Sequence, residues 1–231
     1  MTDKGSVVGK ISGKLMFKSL FFMALLLAVI FISAGRFDYW QGWAYVGLNI
    51  VFLLLAYLTL SSDLIQERLE PEKGVEKWDR LLQKVSIPVF LVILIISILD
   101  GGRFHWHPQI PSYITIVGIF FYIIGQAIFL WAKNVNKFFS AVVRIQKDRG
   151  QTVCKEGPYR YIRHPGYLGS LIYLSVTPLV LGSFWGLILV IIPFILLLIR
   201  TNLEDDTLKK ELDGYTEYAR EVKYKILPGI W

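Results

Sequence analysis

The stretch "YITIVGIFFYIIGQAIFLWA" at residues 113–132 runs through the middle of the chain without a single charged residue. A bilayer core requires about 20 consecutive apolar residues in a helix, so this stretch predicts a membrane-spanning helix. It lacks the sustained alternation of apolar and polar residues that is typical of outer-membrane barrel strands. The fold class that it predicts is therefore all-α, a polytopic integral membrane helical bundle.

Five further apolar runs bring the predicted number of transmembrane segments to about six. They cover residues 15–34, 43–60, 85–99, 167–182 and 184–199. The last two are short and almost contiguous, which predicts a tight helical hairpin, and whether 167–182 spans fully stays open. The first run is too long for a signal-peptide core and no small-residue cleavage site follows it, so we expect a mature helix.

The net charge of +7 reflects the topology of the chain rather than nucleic-acid binding. Six helices place every Lys and Arg on one side of the membrane except Arg36 and Arg103. By the positive-inside rule both termini are then cytoplasmic, at the inner or plasma membrane if the chain is prokaryotic. The basic excess predicts contact with anionic membrane lipids, and no nucleic-acid partner.

The polar segments divide the chain into three predicted parts. Residues 1–14 are expected to be a flexible cytoplasmic N-terminus, and residues 15–132 hold the N-terminal helices with an interfacial segment at 61–84. Residues 133–231 contain both large polar regions. Cys154 is the single cysteine and the three histidines fall on both sides of the membrane, so no metal site is predicted.

The loop "GPYRYIRHPGY" at residues 157–167 stands directly before an apolar run. Pro158 and Pro165 restrict the backbone, and Gly166 permits close approaches that other residues do not, so the loop is shaped rather than a simple connector. Taken singly, its tyrosines suit interfacial anchors and its arginines suit positive-inside cations. Their density within eleven residues favours a binding loop.

The second polar element is "LLLIRTNLEDDTL" at residues 196–208. Arg200 and Glu204 are four residues apart and share one helical face, for which the alternative is an interfacial salt bridge worth about 0–1 kcal/mol. Asp205 and Asp206 extend an acidic cluster that needs cationic or hydroxyl partners at the end of an apolar helix. An apolar stripe then continues at helical spacing: Leu208, Leu212, Tyr215, Ala219 and Val222.

Together the loop and "R-x-x-x-E-D-x-x-L…G-Y-x-x-Y" resemble the C-terminal half of the isoprenylcysteine carboxyl methyltransferase family. The resemblance runs from about Asn136 to Leu227, and "ERLEPEKGVEKWDR" adds a weaker match to prokaryotic members. Phospholipid methyltransferases and sterol reductases are more distant relatives. The resemblance implies that residues 133–231 form the catalytic region of an enzyme that uses S-adenosyl-L-methionine in a cytoplasmic pocket.

The resemblance also implies a set of site residues. Arg200 corresponds to the family's substrate-contacting arginine and Glu204 to its acidic cofactor ligand, and these two are the predicted catalytic pair. A glutamine that contacts the cofactor in eukaryotic members is replaced by Arg144, with Gln146 nearby, which leaves that contact open. The remaining predicted cofactor-binding residues are Gln151, Thr152, Val153, Cys154, Tyr159, His164, Pro165, Gly166 and Tyr167.

These residue types suit methyl transfer to a lipophilic acceptor. Tyrosine faces stabilise a sulfonium cation, and a carboxylate accepts hydrogen bonds from ribose or amino groups. A carboxylate acceptor held by Arg200 needs no general base, which leaves positioning as the main catalytic term. The alternatives are a phospholipid N-methyltransferase, a less favoured reductase, or a non-catalytic membrane scaffold or carrier. The acceptor and the oligomeric state stay open.

Overall fold

The computed structural model describes residues 13–69 and 74–231 of the chain. Every regular element within these ranges is helical, which confirms the predicted all-α class. In chain order the α-helices are α1 (Gly13–Ala34), α2 (Trp40–Thr59), α3 (Ser62–Leu69), α4 (Lys77–Ile98), α5 (Ser112–Val135), α6 (Pro165–Val180), α7 (Phe184–Leu189), α8 (Ile191–Glu211) and α9 (Tyr215–Glu221).

Within residues 13–69 and 74–231, five stretches of helix are long and apolar enough to cross a membrane. They are Met16–Ala34, Trp40–Thr59, Lys77–Phe104, Ser112–Val135 and Phe184–Glu211. The third combines α4 with a π-helical turn at Leu99–Phe104, and the fifth combines α7 and α8. The remaining predicted segment forms α6, whose 16 residues extend only about 24 Å, less than the ~30 Å hydrocarbon core.

Helices α5 and α6 pack against each other at a pair of glycines. A Cβ atom on Gly125 would lie 2.8 Å from the carbonyl oxygen of Gly169, and one on Gly169 would lie 2.6 Å from that of Gly125. Small residues permit this close approach of two backbones inside a membrane bundle. The pair positions the N-terminal half of α6, and with it the loop that precedes α6, against α5.

The connection between α6 and α7 is the tight turn that the sequence predicts. Ser183 caps α7 by accepting a hydrogen bond from the Gly186 amide, 2.9 Å away, and it donates to Asp100 at 2.7 Å. The last apolar run does not end near residue 199, however. Helix α8 continues to Glu211 because polar residues of this extension, among them Thr201 and Asp205, are buried by neighbouring elements.

The C-terminal stripe packs as its helical spacing predicts. Leu212, Tyr215 and Tyr218 form a buried cluster with Val153 and Ile145 around it, and a turn at residues 212–214 separates α8 from α9. Residues 77–84, which the sequence analysis assigns to an interfacial segment, form the first turns of α4. We call the end of the bundle that holds this cluster the cluster end.

Candidate active site

A cavity of about 310 Å³ opens at the cluster end of the bundle. Its walls come from α3, α5, α6, α8 and α9 and from the segment between α5 and α6. The lining includes nearly all the predicted site residues: Gln151, Thr152, Val153, Cys154, Tyr159, His164, Gly166, Tyr167, Arg200 and Glu204. Pro165 is the exception, since it begins α6 and is buried outside the lining.

The segment at residues 151–154 is held against α5 and α9. The Gln151 side chain accepts a hydrogen bond from the Gln146 amide at 2.6 Å, and the Cys154 thiol lies 3.8 Å from the carbonyl oxygen of Val135. Burial raises the pKa of the Cys154 thiol, so the thiol stays protonated at neutral pH. Val153 packs against the Leu212 cluster, which leaves this segment along one wall of the cavity.

Gly166 has a steric role at the start of α6. A Cβ atom at this position would lie 2.5 Å from two ring atoms of Phe139, closer than real side chains approach. Phe139 also lines the cavity and packs edge-to-face on Phe129. Glycine at 166 therefore allows the loop to reach the aromatic wall formed by these two rings.

Tyr159 is buried with its ring in the cavity wall. Its hydroxyl accepts a hydrogen bond from the Asn136 amide at 3.3 Å, and Tyr218 of α9 donates to its carbonyl oxygen at 2.7 Å. Burial raises the pKa of Tyr159 above its ordinary value, which keeps the phenol neutral. Tyr159 thus connects the loop to Asn136 at the end of α5 on one side and to Tyr218 of α9 on the other.

Arg200 and Glu204 do not form the salt bridge that was the alternative reading of their spacing. The Tyr167 hydroxyl donates a hydrogen bond to Glu204, whereas the Arg200 guanidinium lies over the Tyr167 ring at 5.6 Å. Tyr167 therefore separates the two charges. Among residues 13–69 and 74–231 no Lys, Arg or His lies within ion-pair distance of Glu204.

Asp79 is a site residue that sequence reasoning missed. It is completely buried in the first turn of α4, and its carboxylate accepts bonds from Arg200 Nε at 2.7 Å and from the second guanidinium nitrogen at 3.3 Å. The Val143 amide and Gln83 also donate to it, at 2.9 and 2.8 Å. The polar first turns of α4, where Asp79 stands among Lys77, Arg80 and Lys84, give no local sign that this carboxylate is the buried one.

Asp205 is the centre of a second network, directly beside Glu204 in the chain. Its buried carboxylate accepts from Arg163 Nε at 2.7 Å and from the Tyr215 hydroxyl at 2.9 Å, and it lies 2.6 Å from Lys209 Nζ. His164 Nε2 lies 3.2 Å away. The acidic cluster thus has the cationic and hydroxyl partners that the sequence analysis required, and Arg163 is an internal ion-pair residue rather than a surface cation.

The same network fastens the end of the chain to the loop. Arg163 donates to the carbonyl oxygens of Val222 and Lys223, both at 2.7 Å, and its amide bonds the Tyr224 carbonyl at 3.0 Å. The His164 amide bonds the Lys225 carbonyl at 2.8 Å. The segment after α9 therefore covers the loop next to the cavity.

Arg144 and Gln146 both line the cavity, but their polar groups already have protein partners. Arg144 grips Glu67 through two bonds, at 2.9 and 2.8 Å, and reaches Asp148 at 2.7 Å. Gln146 donates to the Phe138 carbonyl at 2.7 Å and accepts from Arg149 at 2.5 Å. Both residues stabilise the wall between α3 and the 151–154 segment.

The sequence of this region is similar to that of known methyltransferases. The phospholipid methyltransferase family model matches residues 113–213. Two proteins named "Probable protein-S-isoprenylcysteine O-methyltransferase", from Oryza sativa subsp. indica and subsp. japonica, are each 34% identical to this chain over 77 residues. Those residues are 32% of this chain, and the chain covers 40% of each relative's length.

These matches confirm the resemblance that the loop and the α8 motif predict. The family match covers α5, the loop, α6, α7 and α8, which supply most of the cavity wall. The region that lines the cavity is therefore similar to phospholipid methyltransferases and to proteins named as probable isoprenylcysteine O-methyltransferases, over less than half of the chain.

Proposed function

We propose that the chain transfers a methyl group from S-adenosyl-L-methionine to a lipophilic acceptor that carries a carboxylate. The observation on which this rests is the single cavity that gathers the 151–154 segment, Tyr159, Tyr167, Arg200 and Glu204. Its volume lies at the lower end of the range of ligand pockets.

The residues present fit a cationic methyl donor. Glu204 is a half-buried carboxylate whose partner is a tyrosine hydroxyl rather than a cation, so it favours a positively charged ligand group. The neutral rings of Tyr159 and Tyr167 supply faces that attract a sulfonium. S-adenosyl-L-methionine supplies a methyl group on such a positively charged sulfur.

Arg200 suits the acceptor end of this reaction. Asp79 fixes the orientation of its guanidinium through Nε and one terminal nitrogen, and that terminal nitrogen also donates to the Ala141 carbonyl at 3.0 Å. The other terminal nitrogen is then available to donate to an acceptor carboxylate. Because a carboxylate is already a nucleophile, orientation by Arg200 is the contribution that the protein needs to make.

A phospholipid N-methyltransferase is the second candidate, favoured by the family model that matches residues 113–213. An amine acceptor has to lose a proton before it attacks a methyl group, and its ammonium form is repelled by arginine. Incubation of membranes with radiolabelled S-adenosyl-L-methionine, followed by lipid extraction, separates the two. Base-labile methyl esters support the carboxylate acceptor, whereas base-stable N-methyl lipids support the amine.

Cys154 provides a direct test of cofactor binding, because it is the single cysteine of the chain and lines the cavity. We expect S-adenosylhomocysteine to slow alkylation of Cys154 by N-ethylmaleimide in detergent-purified protein. Adenosine monophosphate at the same concentration is the control and should leave the rate unchanged. Equal alkylation rates with and without S-adenosylhomocysteine would contradict a cofactor site at this wall.

We further propose that the cluster end faces the cytoplasm, as the distribution of cations predicts. Cysteines introduced at Arg103 and at the exposed Lys210, each with Cys154→Ser, test this arrangement. The first is expected to react with an impermeant maleimide in intact cells, and the second only after permeabilisation. Labelling of the cysteine at position 210 in intact cells would show that the cluster end faces the outside.

A further inference from the structure

Arg68, in the last turn of α3, lines the same cavity as the predicted site residues; it lies in the weakly matching stretch "ERLEPEKGVEKWDR", but the resemblance assigned it no role. It also lies outside the residues that the family model matches. Its guanidinium stands over the rings of Phe139 and Phe129, at 5.2 and 5.8 Å. It donates a hydrogen bond to the Phe139 carbonyl at 3.4 Å, which is long for a charged donor, and to no other described residue.

Arg68 differs from the other arginines of the cavity in having no counter-ion among residues 13–69 and 74–231. Arg144 is paired with Glu67 and Asp148, Arg163 with Asp205, and Arg200 with Asp79. Within the described part of the chain no Asp or Glu pairs with Arg68. Burial, together with the smaller effect of the nearby positive charge of Arg200, lowers the pKa of Arg68 to about 10, so the cation is held in a poorly hydrated place.

The aromatic wall explains how an uncompensated cation is tolerated there. Cation–π contacts with two rings offset part of the lost hydration, without supplying the hydrogen bonds that a guanidinium makes to an anion. Most N–H donors of Arg68 therefore remain available to a ligand. The apolar side chains of Leu174 and Leu197, which line the same cavity, suit the hydrocarbon part of that ligand.

Among the residues that the structure describes, the cavity thus contains two charges without counter-ions, and they have opposite signs. Glu204 lies against Tyr167, whereas Arg68 lies against Phe129 and Phe139. Arg200, neutralised by Asp79, lies beside Tyr167 and is close enough to Arg68 for their charges to repel. A cationic donor at Glu204 and a monoanionic acceptor at Arg68 would compensate both charges at once.

We propose that Arg68 binds the anionic group of the methyl acceptor, and that this group is the carboxylate that is methylated. This inference rests on the function proposed above and adds a second acceptor-binding arginine to Arg200. In the reaction a carboxylate oxygen forms the bond to the methyl carbon as the carbon–sulfur bond breaks, and the electron pair goes to sulfur. No proton is transferred, and the ester product loses the negative charge that Arg68 and Arg200 hold.

The loss of charge has a consequence for product release. A neutral ester no longer compensates Arg68, so the affinity of this wall for the product is lower than for the carboxylate. The arginine pair therefore discriminates substrate from product by charge alone. It also excludes ammonium-bearing acceptors from the position that the carboxylate occupies.

The test compares two ligands that differ only in this charge, N-acetyl-S-farnesylcysteine and its carboxamide. Their binding is measured by calorimetry in detergent with saturating S-adenosylhomocysteine. The wild-type protein is expected to prefer the carboxylate by about 10- to 100-fold, the range of a charge-assisted hydrogen bond. Arg68→Gln is expected to reduce this preference by about tenfold while leaving the affinity for the carboxamide unchanged.

Two further variants separate charge recognition from folding. Arg68→Lys retains the positive charge and is expected to keep part of the preference, because lysine lacks the planar fork of arginine. Arg160→Gln removes an exposed arginine of the neighbouring loop, outside the cavity lining, and is expected to bind both ligands as the wild type does. Size-exclusion profiles in detergent establish that all three variants are folded.

The outcomes distinguish this inference from the function on which it rests. Failure of the wild type to bind S-adenosylhomocysteine would overturn the proposed function. Binding of S-adenosylhomocysteine together with the same carboxylate preference in wild type and Arg68→Gln would overturn the role of Arg68 alone. The absence of any preference in the wild type, or Arg68-dependent binding of phosphatidylethanolamine in its place, would overturn the carboxylate assignment.

Discussion

Glu204 and Asp205 are consecutive acidic residues of α8, yet cationic side chains surround only the carboxylate of Asp205 among the described residues. Asp205 is fully buried and surrounded by Arg163, Lys209, His164 and Tyr215. Glu204 points to the cavity and bonds a single tyrosine hydroxyl. A fully compensated carboxylate holds elements together, whereas one without a counter-ion remains ready for a ligand.

The same contrast separates the arginines of the cavity. Arg163 and Arg144 each meet buried or half-buried carboxylates through several bonds, and they join segments that are far apart in the chain. Among the described residues, Arg68 contacts two aromatic rings and one distant carbonyl, and no carboxylate. The compensation of each charge, rather than its presence in the cavity, therefore distinguishes supporting residues from binding residues.

The largest expected effect is the loss of the Asp205 network. Asp205→Asn leaves the buried Arg163 charge without its counter-ion, which costs about 3–5 kcal/mol for a buried ion pair. We expect a large decrease in the melting temperature in detergent, measured by scanning fluorimetry, and loss of S-adenosylhomocysteine binding with it. Asp206→Asn, at the exposed neighbouring position, is the matched control and should melt as the wild type does.

The next effect is expected in ligand binding without loss of stability. Glu204→Gln keeps an acceptor for the Tyr167 hydroxyl but removes the charge that attracts the donor. S-adenosylhomocysteine should bind about 10- to 100-fold more weakly, corresponding to ~1.5–3 kcal/mol for a hydrogen bond to a charged group. A decrease in melting temperature as large as that of Asp205→Asn would show that Glu204, like Asp205, mainly stabilises the fold.

A smaller effect is expected for Arg200→Lys, and it should appear in turnover. Lysine cannot reproduce the two-pronged bond to Asp79, so the remaining donor is no longer oriented toward the acceptor. We expect turnover to fall by about tenfold, ~1.4 kcal/mol in the barrier, with S-adenosylhomocysteine affinity unchanged. If this variant lowers the affinity for S-adenosylhomocysteine as much as Glu204→Gln does, Arg200 and Glu204 do not bind different ligands.

The smallest effect is expected for an exposed ion pair beside the cavity. Lys155 and Glu221 lie 2.7 Å apart, but their side chains are 48% and 59% exposed. Lys155→Gln should therefore change the free energy of unfolding by less than about 1 kcal/mol, because water screens such pairs. A decrease in the free energy of unfolding comparable with that of Asp205→Asn would show that an exposed ion pair stabilises the protein as much as a buried one.

Much of the fold could be predicted because every helix that crosses a bilayer needs a run of about 20 predominantly apolar residues. The apolar runs identified the long apolar helices between Met16 and Val135, and the turn at residues 212–214 contains Asp213 and Gly214, residue types that favour a break within the apolar stripe. The end of α8 could not be predicted in this way. Its polar extension is helical because other elements bury it, and those contacts are not encoded in local hydrophobicity.

The candidate site was predictable where the family pattern covers contiguous residues, namely the 151–154 segment, the loop and the Arg200–Glu204 pair. Asp79 and Arg68 lie in the weaker matching stretch "ERLEPEKGVEKWDR", but no role was predicted for either, because their importance depends on contacts across the chain. Arg200 and its partner Asp79 are separated by 121 residues, and Arg68 reaches a carbonyl 71 residues away. No local pattern relates such positions.

The sequence by itself determined an all-helical membrane bundle, the loop at 157–167 and the residue types that suit a methyl donor. The tertiary structure alone decided which of its charges are compensated. Arg163, Arg200 and Arg68 are equivalent as letters in a basic chain, but packing gives the first two buried carboxylates and gives the third two aromatic rings. The physical reason is that the free energy of a buried charge depends on the partners that surround it, and only the folded chain brings those partners together.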